Sequence, residues 1–151
     1  MSDFWTDTHA SSKKQDWETP QHLFDRLNNV HNFTLDAAAT PNNAKVSNYY
    51  TEEDNALDKD WQGRVFVNPP YGREIKQWVK KAHDESLKKH NECVVMIIPA
   101  RTDTSYWHDY IFHKANIDFL RGRLKFEVDG KPKAPAPFPS AVITFRKGEY
   151  Q

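Results

Sequence analysis

Continuous apolar runs along the chain predict buried strands. Residues 64–68, which contain Val65-Phe66-Val67, and residues 94–98 show no alternation between polar and apolar positions. Strands that are covered on both faces of a sheet have this pattern. Shorter apolar runs predict four further strands, at residues 33–35, 117–120, 124–128 and 140–145.

Between these runs, apolar side chains recur at helical spacing. From residue 74 to about residue 90, Ile75, Trp78 and Val79 begin an apolar stripe, while lysines and aspartates occupy the other face. A second helix is predicted over residues 104–115, with Trp107 on its apolar face. We expect both tryptophans to lie in the core.

A third, shorter helix is predicted near the start of the ordered chain. Thr19 is a good N-cap residue, and Pro20 suits the first helical position. Leu23, Phe24 and Leu27 then follow at helical spacing, which predicts a helix from residue 20 to about residue 28.

The order of these elements predicts an α/β fold. From residue 64 onward, strands alternate with helices and two strands come last, which indicates a mostly parallel sheet with helices on both faces and an antiparallel terminal strand pair. Ligands bind outside the carboxyl ends of the strands in such sheets. Asp36 and Asn68 both lie at the carboxyl ends of predicted strands, so we expect them on the same edge.

Composition narrows the class of protein. A chain of 151 residues fits a single domain, which we expect over residues 16–151, after a flexible arm at residues 1–15. The 21 basic and 21 acidic residues balance, so a nucleic acid would have to be held by a local patch. Only five glycines occur, and none forms a glycine-rich phosphate loop. No CxxC or HExxH spacing indicates a metal site.

Location and redox state follow from two simpler features. No apolar run approaches the length of a membrane span, and the polar start of the chain lacks a signal-peptide pattern. We therefore expect a cytoplasmic protein. The single cysteine, Cys93, has no partner within the chain and is expected in the core.

The tetrapeptide Asn68-Pro69-Pro70-Tyr71 carries the most chemical information. The side-chain oxygen of Asn68 and the carbonyl of Pro69 can both accept hydrogen bonds from one NH2 group. Tyr71 adds an aromatic face on which a ring can stack, and the two prolines stiffen the loop. This combination predicts a site for a planar amine, although a diproline turn that only closes a strand would have the same sequence.

Three motifs together resemble a known family. They are Asn68-Pro69-Pro70-Tyr71, the run Leu35-Asp36-Ala37-Ala38-Ala39, and Trp-x-Thr-Pro at residues 17–20. The chain resembles the S-adenosylmethionine-dependent DNA N6-adenine methyltransferases, and more narrowly their small phage-type members. The resemblance covers roughly residues 16–145 and includes Asp60-Trp61 and the segment 122–126. It implies a Rossmann-like methyltransferase fold, S-adenosylmethionine as methyl donor, no metal, and adenine in DNA as the acceptor.

The resemblance also implies residue roles. Asn68, Pro69, Pro70 and Tyr71 match the catalytic motif that holds the target amino group. The implied cofactor-binding residues are Thr19, Pro20, Asp36, Ala37, Ala38, Ala39 and Asp54, the last near the ribose or adenine. From charge alone, Arg101, Arg121, Arg123 and Lys125 are candidates for contacts with DNA phosphates, or else a solvated charged surface.

Several alternatives remain open from the sequence. Asp36 could be a helix cap or a surface acid, Asp54 a solvated carboxylate, and the proline-rich segment 131–139 a connector or a substrate-facing flap. Alanines stand where larger methyltransferases carry glycines, which leaves open a non-catalytic nucleic-acid-binding protein. An RNA adenine or a protein glutamine amide would fit the same amine site. A chain of this length has no room for a separate target-recognition domain, so sequence preference would come from loops or a partner subunit.

Overall fold

The computed structural model describes residues 17–148, which form two helices, seven strands and three short helical turns. The helices are α1 (Gln21–His31) and α2 (Ile75–Ser86). The strands are β1 (Leu35–Asp36), β2 (Gly63–Val67), β3 (Asn91–Pro99), β4 (Asn116–Phe119), β5 (Glu127–Val128), β6 (Lys131–Pro132) and β7 (Ser140–Phe145). The turns are two 3-10 turns at Glu52–Asp54 and Ala56–Asp58 and a π-helical turn at Trp107–Ile111.

Five strands form one mixed sheet in the order β1-β2-β3-β7-β4. β1, β2 and β3 run parallel, with Leu35 opposite Val65 and Phe66 opposite Val95. β7 lies antiparallel to both β3 and β4. The predicted α/β class and antiparallel terminal pair are therefore confirmed. β1 and β2 are neighbours, so their carboxyl ends meet at one edge, as the sequence predicted.

Each face of the sheet packs against one helix. On one face, Leu23 and Phe24 of α1 contact the cluster that contains Phe66, Val95 and Ile97. On the other face, α2 packs against the residues of β2 and β3 that alternate with those of the first cluster. This larger cluster includes Trp78, Val79, Val65, Val67, Val94 and Met96. Alternation along β2 and β3 thus divides the core in two. Trp78 and Trp107 are both buried, as predicted.

Two predicted elements are shorter than expected. The helix predicted over residues 104–115 contains a five-residue π-helical turn, Trp107–Ile111. It ends because Phe112 is extended and His113 takes a left-handed conformation. The strand predicted over residues 124–128 forms only at Glu127–Val128, and it pairs with β6 outside the main sheet.

The start of α1 also differs from the prediction. The helix begins at Gln21 and Pro20 occupies the cap position, without a side-chain capping hydrogen bond. Thr19 does not cap the helix. Its hydroxyl accepts a hydrogen bond from Asn68 instead, so a residue with good capping propensity contacts the tetrapeptide.

The structure bears on two of the three expectations that came from composition. None of the helices formed by residues 17–148 has the length and apolar character that a membrane crossing requires. Cys93 is buried, as predicted. The arm predicted at residues 1–15 lies outside the described residues.

Candidate active site

The side chain of Asn68 has a fixed orientation at the carboxyl end of β2. Its Nδ2 donates to the carbonyl of Trp17 at 2.8 Å and to the hydroxyl of Thr19 at 3.1 Å. Its Oδ1 accepts from the Tyr71 hydroxyl at 2.9 Å. Both donors of the amide are therefore engaged, and Oδ1 keeps one lone pair for a further donor.

The two prolines hold a carbonyl beside this amide. Pro69 is buried and Pro70 is half-buried. Within residues 17–148, no hydrogen bond to the Pro69 carbonyl is observed. Because neither proline carries an N–H, the loop supplies acceptors rather than donors next to Asn68. Two oxygens with unused acceptor capacity thus follow directly after β2.

The ring of Tyr71 is enclosed, contrary to the exposed stacking face that the sequence suggested. The residue is 8% exposed. Its ring centroid lies 5.7 Å from Phe138, 6.1 Å from Phe126 and 6.4 Å from Trp17. These four residues are called the aromatic cluster below. Burial raises the pKa of the Tyr71 phenol, and the nearby Tyr106 adds to the effect, so Tyr71 is a neutral donor.

The aromatic cluster depends on the β5–β6 hairpin. Glu18 and Glu127 exchange backbone hydrogen bonds at 3.0 and 2.9 Å, which ties the segment before α1 to β5. Phe126 immediately precedes β5, and its centroid lies 5.2 Å from that of Trp17 in an edge contact. The hairpin therefore fixes two of the rings that surround Tyr71.

Asp36 organises the loop that follows β1. Its Oδ1 accepts from the amide of Ala38 at 3.3 Å, and its Oδ2 accepts from the amide of Lys45 at 3.0 Å. Asp36 is 2% exposed and belongs to no helix, so it is neither a surface acid nor a helix cap. The amides of Ala37 and Ala39 bond to the carbonyls of Phe66 and Tyr50. The alanine run is thus anchored to β2 and to the following segment.

The structure brings several predicted cofactor-binding residues together around one narrow cavity. Thr19, Asp36 and Ala38 line it with Asn68, and so do four residues that the sequence did not single out, Glu18, Asn43, Lys45 and Phe66. Its volume is only about 10 Å³, the space of roughly one water molecule. The lining residues include two acids, Glu18 and Asp36, and one lysine, Lys45, so the cavity carries charges of both signs although its volume is that of a water molecule.

Asp54 lies apart from this cavity. It ends the 3-10 turn Glu52–Asp54, where its Oδ2 accepts from the amide and hydroxyl of Thr51 at 2.8 and 3.1 Å. These hydrogen bonds from Thr51 lower the pKa of the exposed Asp54 carboxyl. The observed role of Asp54 is to cap a turn, and a contact with the cofactor stays a prediction.

A second and larger cavity lies between the loops that follow β2 and β3. It encloses about 380 Å³, within the range of about 300–1,000 Å³ that is usual for small-molecule sites. The loop after β2 contributes Tyr71, Gly72 and Arg73, and α2 contributes its first residue, Ile75. The end of β3 and the segment after it contribute the other four lining residues, Pro99, Arg101, Thr104 and Tyr106. Tyr71 therefore links the cavity to Asn68.

The predicted phosphate-contacting residues are distributed over two segments. Arg101 lines the larger cavity. Arg121, Arg123 and Lys125 are exposed in the segment between β4 and β5, where Arg123 is 3.5 Å from the carbonyl of Ala136. None of these three lines either cavity.

Comparison with known proteins identifies the family. Residues 6–147 match the family described as DNA N-6-adenine-methyltransferase (Dam). The chain belongs to this family. It is 37% identical over 114 residues to the DNA N-6-adenine-methyltransferase of Haemophilus phage HP1 (strain HP1c1), an alignment that covers 72% of this chain and 64% of that protein. Its identity to the DNA N-6-adenine-methyltransferase of Escherichia phage T1 is 32% over 138 residues, 88% of this chain and 54% of that protein.

The chain thus spans between about half and two thirds of the length of these two phage relatives. The Dam family match includes every candidate site residue named above. Sequence reasoning missed Trp17, Phe126 and Phe138 as neighbours of Tyr71, and Arg73 at the larger cavity. A signal for Arg73 was present, because it follows the tetrapeptide by two residues. Trp17 and Phe126 belong to segments that carry the resemblance, but no local pattern showed that they or Phe138 would contact Tyr71, because all three come from distant parts of the chain.

Proposed function

We propose that this chain is an S-adenosylmethionine-dependent methyltransferase that methylates the exocyclic N6 amino group of adenine in DNA. Membership of the Dam family and the names of the two phage relatives support this proposal. The observation that carries it is the orientation of Asn68, whose Nδ2 is held by Trp17 and Thr19 while Oδ1 keeps acceptor capacity beside the Pro69 carbonyl.

The two oxygens address the main chemical difficulty of the reaction. The lone pair of an adenine amino group is delocalised into the ring, so the nitrogen is a poor nucleophile. Acceptors at Asn68 Oδ1 and the Pro69 carbonyl favour a pyramidal nitrogen with a localised lone pair. Their hydrogen bonds strengthen as positive charge develops on nitrogen, so they lower the barrier rather than only improve binding. The proton leaves after methyl transfer, when it has become acidic.

A base in a duplex must leave the stack to reach Asn68, which costs a few kcal/mol. Stacking on an aromatic residue returns about 1–3 kcal/mol per base. In our proposal Tyr71 provides this surface. The aromatic cluster covers most of its ring, so the contacts with Trp17, Phe126 and Phe138 would have to loosen before a base could stack fully on it.

The methyl donor proposed here is S-adenosylmethionine, whose sulfonium supplies an activated methyl group when the cofactor is bound. The narrow cavity supports a role in holding its amino-acid end, because Glu18 and Asp36 are suited to an ammonium group and Lys45 to a carboxylate. Its volume of about 10 Å³ is smaller than that end, so the lining would have to widen when the cofactor binds. Ala37 to Ala39 would define the adjoining backbone surface. Asp54, near the ribose or adenine, belongs to the same proposal.

We also propose the finer class of the fold, its domain organisation and its location. Parallel strands β1–β3, one helix on each face and the antiparallel β7 support a Rossmann-like methyltransferase fold. We propose one methyltransferase domain over residues 16–151, with target preference set by loops or a partner, acting in the cytoplasm. Arg121, Arg123 and Lys125 are proposed contacts to the DNA backbone.

A transfer assay tests the function directly. The chain is incubated with S-adenosylmethionine that carries a labelled methyl group, in parallel with duplex DNA, RNA and a protein extract. We expect label in DNA alone, and nuclease digestion should recover it as N6-methyladenine. Label in RNA or in glutamine side chains would assign a different acceptor. Calorimetry without cofactor binding would instead indicate a non-catalytic nucleic-acid-binding protein.

A further inference from the structure

The larger cavity, between the loops that follow β2 and β3, has no role in the proposed reaction as described so far. It lies at the carboxyl ends of the parallel strands β2 and β3, the edge where open α/β sheets bind ligands. Apolar and aromatic groups of Tyr71, Ile75, Pro99 and Tyr106 form much of its wall. Such a wall suits a flat ring rather than a strongly hydrated ligand.

Charge on the lining is of one sign. The eight residues that line the cavity include Arg73 and Arg101 and no aspartate or glutamate. Both arginines are exposed. A guanidinium group binds phosphate with two parallel hydrogen bonds, and this geometry makes arginine the preferred partner of a nucleic-acid backbone. Because the whole chain has no net charge, attraction to DNA has to come from local groups of this kind.

The two arginines are carried by ordered turns on opposite sides of the cavity. Arg73 follows Gly72, which has a φ of 107°, in the turn that leads into α2. On the other side, the Arg101 amide donates to the Pro99 carbonyl at 3.0 Å, and the Thr104 hydroxyl donates to the Arg101 carbonyl at 2.8 Å. These contacts fix the backbone from which the guanidinium of Arg101 extends.

We propose that this cavity receives the nucleotide that carries the target adenine, and that Arg73 and Arg101 bind the phosphates on either side of it. The inference rests on the proposed function and adds two things, a place for the extruded nucleotide and a DNA-binding role for Arg73. Tyr71 connects the two sites, because it lines the cavity while its hydroxyl contacts Asn68 Oδ1 at 2.9 Å. Neither Thr19 nor Asp36 lines this cavity, which separates it from the proposed cofactor residues.

The first experiment measures how DNA binding depends on salt. Arg73→Gln and Arg101→Gln each remove one charge from the cavity. The control, Lys89→Gln, removes one charge from an exposed residue in the turn before β3, at the opposite edge of the sheet. Each lost phosphate contact lowers the slope of log K against log salt by about 0.9. We expect that decrease for each arginine variant and an unchanged slope for Lys89→Gln, with cofactor affinity by calorimetry unchanged in all three.

A second experiment locates the contacts on the DNA. The two phosphates that flank the methylated adenine, mapped in the transfer assay, are replaced by neutral methylphosphonates. For the wild-type chain, the slope of log K against log salt should decrease on this duplex. The decrease should be about as large as the one that the Arg73→Gln/Arg101→Gln double variant shows on ordinary DNA. The double variant should lose nothing further on the modified duplex.

Three results would overturn the inference. If the arginine variants have the same salt slope as Lys89→Gln, the cavity does not face the DNA backbone. If the losses of slope in the second experiment are additive, Arg73 and Arg101 contact phosphates other than the two that flank the adenine. Weaker cofactor binding with unchanged slopes would assign the cavity to the cofactor. The proposed function fails separately, if the wild-type chain transfers no methyl group to DNA at all.

Discussion

At the scale of single residues, Asn68 allows its two roles to be separated by mutation. Its Nδ2 positions the amide through Trp17 and Thr19, and its Oδ1 is the proposed acceptor for the amino group. Asn68→Ala removes both. We expect methyl transfer to fall by about 10²–10³-fold or more, the usual loss when one group that stabilises developing charge is removed, while calorimetry still detects cofactor binding.

Asn68→Asp is the matched variant, since it keeps oxygen acceptors, loses both donated hydrogen bonds and adds a negative charge that faces the Trp17 carbonyl. Its rate of transfer should lie between those of Asn68→Ala and the wild-type chain. Near wild-type transfer by Asn68→Ala would contradict the proposed mechanism, whereas equal losses in both variants would show that orientation by Trp17 and Thr19 is the dominant contribution.

At the scale of elements, the start of β2 depends on a glycine. Gly63 has a φ of 79°, and a Cβ there would lie 2.5 Å from the Thr34 hydroxyl oxygen. That oxygen accepts from the Arg64 amide at 3.0 Å and holds β2 beside the chain before β1. We expect Gly63→Ala to lower the free energy of unfolding by about 1–3 kcal/mol, from backbone strain together with displacement of Thr34.

Gly122→Ala is the control for the strain alone. Gly122 has a φ of 76°, and a Cβ there would meet nothing within 4 Å. Urea unfolding of both variants should therefore show the larger loss for Gly63→Ala. Equal losses would mean that the contact with Thr34 contributes nothing to the stability of β2.

The elements also show what the sequence could and could not predict. β2, β3 and β7 were predicted to within a few residues because their apolar runs are long and the core requires them. The helix predicted over residues 104–115 was wrong in length, since apolar spacing does not reveal the left-handed conformation of His113. Thr19 was expected to cap α1, yet Asn68 competes for its hydroxyl from 49 residues away. Long-range partners of this kind leave no local pattern.

At the scale of the whole molecule, the sheet order explains why the predicted motifs meet. β1 and β2 are parallel neighbours, so Asp36 and the tetrapeptide are delivered to the same edge, and β3 brings Arg101 beside them. The narrow cavity and the larger one then lie on either side of the tetrapeptide, with Asn68 lining the first and Tyr71 the second. This division separates the residues proposed to bind the cofactor from those proposed to bind the nucleotide. Asn68 and Tyr71 are only three residues apart in the sequence, yet they line different cavities.

Stability of the whole molecule should depend on pH through Glu85 of α2. Its side chain is 2% exposed, and burial alone would raise its pKa. Hydrogen bonds from Lys88, the Trp61 amide and Lys81 outweigh that effect and lower the pKa of the carboxyl below its ordinary value of 4.5. The ionised form is therefore favoured in the folded chain. Its contribution is complete above the unfolded-state pKa and is lost as the pH falls through the lower folded-state pKa.

Glu85→Gln isolates this contribution, because glutamine keeps an oxygen for the Trp61 amide and lacks the charge that attracts the two lysines. In urea unfolding, the wild-type chain should be more stable than Glu85→Gln at pH 7, and the difference should shrink once the pH falls below about 4.5. Other carboxylates titrate in both proteins and cancel in the comparison. A difference that stays constant down to pH 3 would show that the ion pairs of Glu85 with Lys81 and Lys88 contribute nothing to the stability of the fold.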